Sequence, residues 1–219
     1  MIPLLHDFSA ATVLVFGGGP VGARKARRFA DEADVVVVVS PVFADRSFGD
    51  AELVRAQPDP VDVTDWFDRL EPTLVVAATD DDAVNEAVAT TARERNVLVN
   101  RADRSGSREP GSVVVPATVR DDPVVVAIAT GGTAPALSKH LRQELESTLS
   151  GAGEMATVCA ALRSELKSRD ISPTERREIV TDVVNSPAVW TALRTGTTNP
   201  RQVIEDVLGD NVSIGGEGL

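Results

Sequence analysis

The stretch Val13-Leu14-Val15-Phe16-Gly17-Gly18-Gly19-Pro20-Val21-Gly22 decides the fold of this chain. An apolar run leads into three glycines, and a helical pattern begins at Pro20. G-x-G-x-x-G (Gly17, Gly19, Gly22) therefore falls between a strand and a helix. There the first glycine permits a tight turn, the second lets a pyrophosphate approach the backbone, and the third lets helix and strand pack closely. Free N–H groups and the helix dipole face the phosphates. Pro20 sits where its missing N–H costs nothing. Alone the motif says little; with its strand and helix it predicts a dinucleotide-binding turn.

On either side of the glycines, Thr12 to Phe16 reads as a strand and Pro20 to Glu32 as a helix. The valines Val35 to Val39 form a second strand, and their lack of alternation fits burial on both faces of a parallel sheet. Leu53 to Ala56 and Leu74 to Ala78 read as strands, with a helix over Val61 to Leu70 between them. Asp81 to Arg95 reads as a helix and Val97 to Asn100 as a strand. This βαβα rhythm predicts an α/β fold with a Rossmann-type, doubly wound parallel sheet.

The ribose-binding acid expected at the end of the second strand is replaced by Ser40-Pro41, with Asp34 and Asp45 only flanking it. The residues alone leave NAD and NADP open. Arg46 is either a 2′-phosphate partner or an exposed surface arginine.

Near residue 104 the pattern changes. Arg104 to Gly111 is loop-like; then Ser112 to Val115 and Pro123 to Ala129 read as antiparallel strands around the turn signal Arg120-Asp121-Asp122-Pro123. Thr130-Gly131-Gly132-Thr133 precedes a helix over Pro135 to Leu149. Further helices follow over Ala152 to Arg169, Ser172 to Asn185, Pro187 to Arg194 and Asn199 to Leu208. Ser172 with Glu175 has the spacing of a capping box. The tail 209–219 is glycine-rich and expected to fray.

With 219 residues, 42 % of them hydrophobic, the chain can build a sizeable core. No apolar run reaches the roughly eighteen residues of a membrane span, and no secretory signal is legible at the N-terminus. The single cysteine, Cys159, excludes a disulfide framework within the chain. The expected setting is the cytoplasm. The net charge is −11, and only three of the 22 cations are lysines (Lys25, Lys139, Lys167). Such an acidic, lysine-poor surface is the pattern of a halophilic, salt-adapted protein, and it lacks the basic stripe that nucleic-acid binding needs.

Pro3-Leu4 and Gly17 to Lys25, Ala77-Ala78-Thr79-Asp80-Asp81 with Asn85, Val99-Asn100 with Asp103, and Ala127-Ile128-Ala129-Thr130-Gly131-Gly132-Thr133-Ala134-Pro135-Ala136-Leu137 occur in that order. Together they resemble the precorrin-2 dehydrogenase and sirohydrochlorin ferrochelatase family, the N-terminal module of siroheme synthases. The last segment is the most specific, and residues 2–150 carry the likeness best. The resemblance implies an oxidoreductase of siroheme and porphyrin biosynthesis that oxidises the tetrapyrrole precorrin-2 to sirohydrochlorin with NAD. Some members then act as a ferrochelatase, taking Fe²⁺ as a second substrate. It also implies a homodimer: an NAD-binding Rossmann domain over 1–111, a dimerisation region over 112–150 and a helical domain over 151–219.

The resemblance assigns cofactor contacts to Gly17, Gly19, Pro20, Val21 and Gly22, to Ser40, Pro41 and Val42, and to Ala78, Thr79 and Asp80. Thr79 and Asp80 also suit an ordinary helix start. Asp103 is the implied catalytic acid, as proton acceptor or as a guide for pyrrole protons or iron. Arg101-Ala102 stands where the family pattern has two valines, so Arg101 is a candidate partner for a substrate carboxylate, with Asn100 beside it. Thr130, Gly131, Gly132 and Thr133 either cradle substrate carboxylates through backbone N–H groups or form a dimer-interface turn. His6 and His140 read as solvated or capping histidines rather than iron ligands, and Cys159 as a packing residue. No metal site is expected. A different class remains open as well: a nucleotide-sensing regulatory Rossmann module, which would need neither Asp103 nor the Thr130 segment.

Overall fold

The computed structural model describes residues 2–104, 109, 111–169, 171–196 and 199–208. The chain divides into two compact units, Met1–Val115 and Pro116–Leu219.

The first unit contains β1 (Thr12–Phe16), α1 (Pro20–Ala30), β2 (Val35–Ser40), β3 (Glu52–Arg55), α2 (Val63–Leu70), β4 (Leu74–Ala77), α3 (Asp82–Glu94) and β5 (Leu98–Arg101). The strands form one sheet in the order β3-β2-β1-β4-β5. Every pairing is parallel, with Phe16 opposite Val39 on one side and Ala77 on the other. This is the Rossmann order: successive strands are added on one side of β1 and then, from β4, on the other, so the switch point lies at β1, where the glycine turn leaves the strand.

Strand alternation divides the apolar side chains between two cores. Val13, Val15, Val36, Val38, Leu74 and Val76 pack with Ala23, Ala26 and Phe29 of α1. Leu14, Phe16, Val37, Val39, Val75 and Ala77 pack with Val63 and Phe67 of α2 and with Val84, Val88 and Ala92 of α3. A valine run without alternation is thus what a strand covered on both faces requires. On α1, Gly22, Ala23, Ala26 and Phe29 recur at helical spacing and are buried.

The second unit holds β6 (Ala117–Asp121) and β7 (Val124–Ile128), then α4 (Pro135–Leu149), α5 (Ala152–Ser168), α6 (Pro173–Asn185), α7 (Pro187–Thr195) and α8 (Pro200–Leu208). Helices α5 to α8 enclose their own core around Leu162, Leu166, Val183, Val189 and Ile204. The Ser172 hydroxyl accepts from the Glu175 N–H and caps α6. Position 153 must be glycine, because a Cβ there would lie 2.2 Å from the Asp122 carbonyl oxygen at the hairpin turn.

One expectation needs correcting. The antiparallel hairpin exists, but its first strand is β6 at Ala117–Asp121, not Ser112 to Val115. Ser112 makes only an isolated bridge to Val99. The Val113 N–H donates to the Val99 carbonyl at 2.8 Å, and Val113 and Val115 pack on the α1-side core. A β-branched run reads the same whether it pairs as a strand or lies extended over a core. The tail at 209–219 lies outside the described residues.

Candidate active site

The carboxyl ends of β1, β2 and β4 open into one cleft of about 730 Å³. Gly17, Gly19, Pro20 and Val21 form its floor, Ser40, Pro41 and Val42 one wall, and Ala78, Thr79 and Asp80 the opposite wall. Ten of the positions expected around a cofactor therefore line one space, while Gly22 does not. Gly22 is a packing residue: a Cβ there would lie 1.8 Å from the Gly17 carbonyl oxygen. Gly17 has φ +115°, and its Cβ would strike the Ala78 carbonyl oxygen at 2.3 Å. Gly18 is crowded equally, 2.3 Å from the Val42 carbonyl oxygen.

Gly19 differs from all three. Its φ of −72° suits any residue, and an added Cβ would meet nothing within 4 Å. Nothing inside the protein requires glycine here. The open space lies over the N-terminus of α1, where N–H groups point outward and an anion is favoured. The residues present thus fit a bound pyrophosphate.

The loop after β2 is folded back over the turn. The Ala44 N–H donates to the Gly18 carbonyl at 2.8 Å, and the Ser40 hydroxyl donates to the Val42 carbonyl at 2.7 Å. Ser40 is consequently buried and its hydroxyl already engaged. Val42 is left exposed at the cleft, and Phe43, which the sequence did not single out, lines it as well. Arg46 is exposed and is not among the cleft residues.

The opposite loop is held from below by Asn85 of α3, which is fully buried. Asn85 Oδ1 accepts from the Thr79 N–H at 3.2 Å and from the Thr79 hydroxyl at 2.8 Å, while its Nδ2 donates to the Thr79 carbonyl at 2.9 Å. The cap of α3 is Asp81, whose Oδ1 accepts from the N–H groups of Ala83 and Val84. Thr79 and Asp80 therefore precede the cap, and Thr79 is tied to Asn85. A loop fixed this way is pre-shaped for a ligand.

Beside this wall, β5 ends in a charged cluster. Ala77 pairs with Arg101 and the Ala102 N–H donates to the Ala77 carbonyl, so Ala78 and Asp103 leave the sheet from neighbouring strands. Arg101 grips Asp103 with two bonds, Nε to Oδ1 at 2.9 Å and Nη2 to Oδ2 at 2.6 Å. Its Nη1 donates to Glu86 Oε2 of α3 at 2.9 Å. Arg104 bridges Glu86 and Glu109, at 3.0 and 3.1 Å. The Arg101 guanidinium holds the Asp103 carboxyl below the usual carboxylate range, and burial opposes it only partly. With two carboxylates of its own chain already bound, Arg101 can meet a substrate carboxylate only by displacing one of them.

Asn100 is 3 % exposed; its Nδ2 donates to the Val113 carbonyl at 2.8 Å. Its Oδ1 has no hydrogen-bond partner among the described residues. A buried acceptor left so is costly unless something else satisfies it.

In the second unit the Thr133 N–H and hydroxyl both donate to the Thr130 carbonyl, and the Thr130 hydroxyl lies 2.9 Å from that of Ser138. Gly131 and Gly132 both take positive φ, which turns the chain ahead of α4. His140 lies exposed on α4, whereas Cys159 packs against the helical core and burial raises its thiol pKa. Among the described residues no group of three or more His, Cys, Asp and Glu could hold a metal ion. No helix among them is long and apolar enough to cross a membrane.

A parallel 3-2-1-4-5 sheet with a glycine turn opening into a cleft at its switch point defines a dinucleotide-binding domain. Residues 4–117 match the family model described as "Putative NAD(P)-binding". The chain is 34 % identical over 196 residues to a precorrin-2 dehydrogenase of Methanosarcina barkeri, covering 86 % of this chain and 85 % of that one. It is 34 % identical over 212 residues to a siroheme synthase of Pseudomonas fluorescens, covering 95 % of this chain and 44 % of that protein. It thus spans less than half of that siroheme synthase. A solved structure of SirC, a precorrin-2 dehydrogenase, superposes with a TM-score of 0.68 at 23 % identity, covering 94 % of this chain and 98 % of that one, which shows a shared fold. The chain belongs to the precorrin-2 dehydrogenase family.

Proposed function

We propose that this protein oxidises precorrin-2 to sirohydrochlorin with NAD⁺ in siroheme biosynthesis. The observation that carries the cofactor reading is Gly19, a glycine that packing does not explain, facing open space over a helix N-terminus. The substrate reading rests on relatives that match along nearly the whole chain. The sensing alternative finds no support among them.

When bound, NAD⁺ supplies the acceptor for the hydride leaving the macrocycle. The chain's own residues do the rest. The N–H groups of the glycine turn and the α1 dipole would hold its pyrophosphate, and Val42 and Phe43 would offer it apolar surface. The Asn85-braced loop at Ala78, Thr79 and Asp80 would close the other side of the bound cofactor. Oxidation removes a hydride and a proton from the substrate. Asp103, one strand over from that loop, takes the proton on a carboxylate oxygen and passes it to water. Its lowered pKa makes it a weak base. Hydride loss leaves a cationic macrocycle that surrenders its proton readily, so a weak base suffices.

We further place the protein in the cytoplasm as a homodimer, with α4 as part of the interface. No residue of α4 is buried, and Leu137 is 48 % exposed.

The test is turnover of precorrin-2 by Asp103→Ala. Loss of about 10²-fold or more in kcat, with NAD⁺ affinity intact, is expected of a missing general base; full activity would contradict the assignment. A parallel arm with Fe²⁺ reports whether siroheme forms.

A further inference from the structure

We propose that Arg101 is a positioning residue for the dehydrogenation: its guanidinium fork, anchored by Glu86, fixes the plane and reach of the Asp103 carboxylate. This rests on the reading of Asp103 as proton acceptor.

The geometry is specific. Residues two apart at a strand end project to the same face, so Arg101 and Asp103 both point toward α3, where Glu86 stands. The Arg101 and Asp103 side chains are only 10 % and 14 % exposed, which sets this pair apart from the more exposed pairs among the described residues. Both Asp103 oxygens are engaged by the fork, at 2.9 and 2.6 Å, and Glu86 takes the remaining edge of the guanidinium. A planar fork meeting a carboxylate edge-on fixes orientation as well as distance, which a point charge does not. Asp103 begins a loop and, without the fork, would have rotamers to choose from. The fork and the backbone N–H of Asp103 itself occupy three of the four lone-pair positions of the carboxylate, which leaves one for the incoming proton. Among the described residues, the charged groups that face Asp103 are Arg101 on β5 and Arg104 in the loop beyond it. Glu86 contacts both of those arginines.

The fork also has a functional logic. Once Asp103 is protonated its hold on Arg101 weakens, because a neutral carboxyl no longer forms a charged pair. Arg101 then favours release of the proton and returns the base to its starting state.

The experiment measures kcat, KM and pH profiles of the intact protein carrying Arg101→Gln, Arg101→Lys or Asp103→Asn, with NAD⁺ affinity and melting temperature as controls. Misplacement of the base predicts that Arg101→Gln lowers kcat by about ten- to hundredfold with NAD⁺ affinity unchanged. The acid limb of its kcat/KM profile should rise toward the ordinary carboxylate range near ~4. Arg101→Lys keeps the charge and loses the fork; its acid limb should stay near that of the parent while kcat falls. A role confined to stability would lower the melting temperature and leave both limb and kcat in place. If Arg101→Gln does not fold, Arg101→Lys decides: parental kcat overturns the proposal. Full activity of Asp103→Asn would instead overturn the underlying reading of Asp103. An inactive Asp103→Asn beside a fully active Arg101→Gln would remove only the positioning role.

Discussion

At the residue scale, the glycines of one turn do different work and can be separated by experiment. Gly22 is required by the protein itself, since a Cβ there would sit 1.8 Å from a carbonyl oxygen. Gly19→Val should leave the melting temperature nearly unchanged and weaken NAD⁺ binding by about tenfold or more, because its side chain occupies the pyrophosphate's space. Gly22→Ala should instead destabilise the fold by about 1–3 kcal/mol, as overpacking does; calorimetry and cofactor titration of both variants check the contrast. Asn85 makes a similar case from the other wall. Asn85→Ala leaves Thr79 polar groups without partners and should cost about 1–3 kcal/mol, with a weaker hold on NAD⁺ as the loop loosens.

At the element scale, turn chemistry was readable where it is local. The strand, the glycines and Pro20 announce β1 and α1 without long-range information, and the valines of β2 announce burial on both faces. The cofactor-side loops were equally legible as positions, because a Rossmann topology brings the ends of β1, β2 and β4 together. Two features were not. The run at Ser112 to Val115 looked like a strand because β-branched residues favour any extended backbone; only tertiary packing against Val99 and the α1-side core shows that it is not one. The Arg101–Asp103–Glu86 cluster depends on Glu86, which is distant in sequence and set in place by α3. Nothing local in the sequence marks that pairing. Asn85 was visible as part of the family resemblance, but its work as a brace emerges only from its hydrogen bonds.

At the scale of the whole molecule, charge and surface govern behaviour. With 33 acidic residues against 22 basic ones, self-repulsion opposes the compact state, and salt screens it. The melting temperature should therefore rise as KCl is added over the molar range; a flat or falling curve would contradict salt adaptation. The unburied α4 should form part of a dimer interface. Leu137→Asp should shift the protein toward monomer in light scattering, with α5 to α8 still folded. Mixing the purified protein with precorrin-2 and NAD⁺ decides whether the glycine turn serves oxidation of a tetrapyrrole. One NADH should form for each sirohydrochlorin, read from their absorbances; NAD⁺ binding without any NADH or sirohydrochlorin would rule that function out.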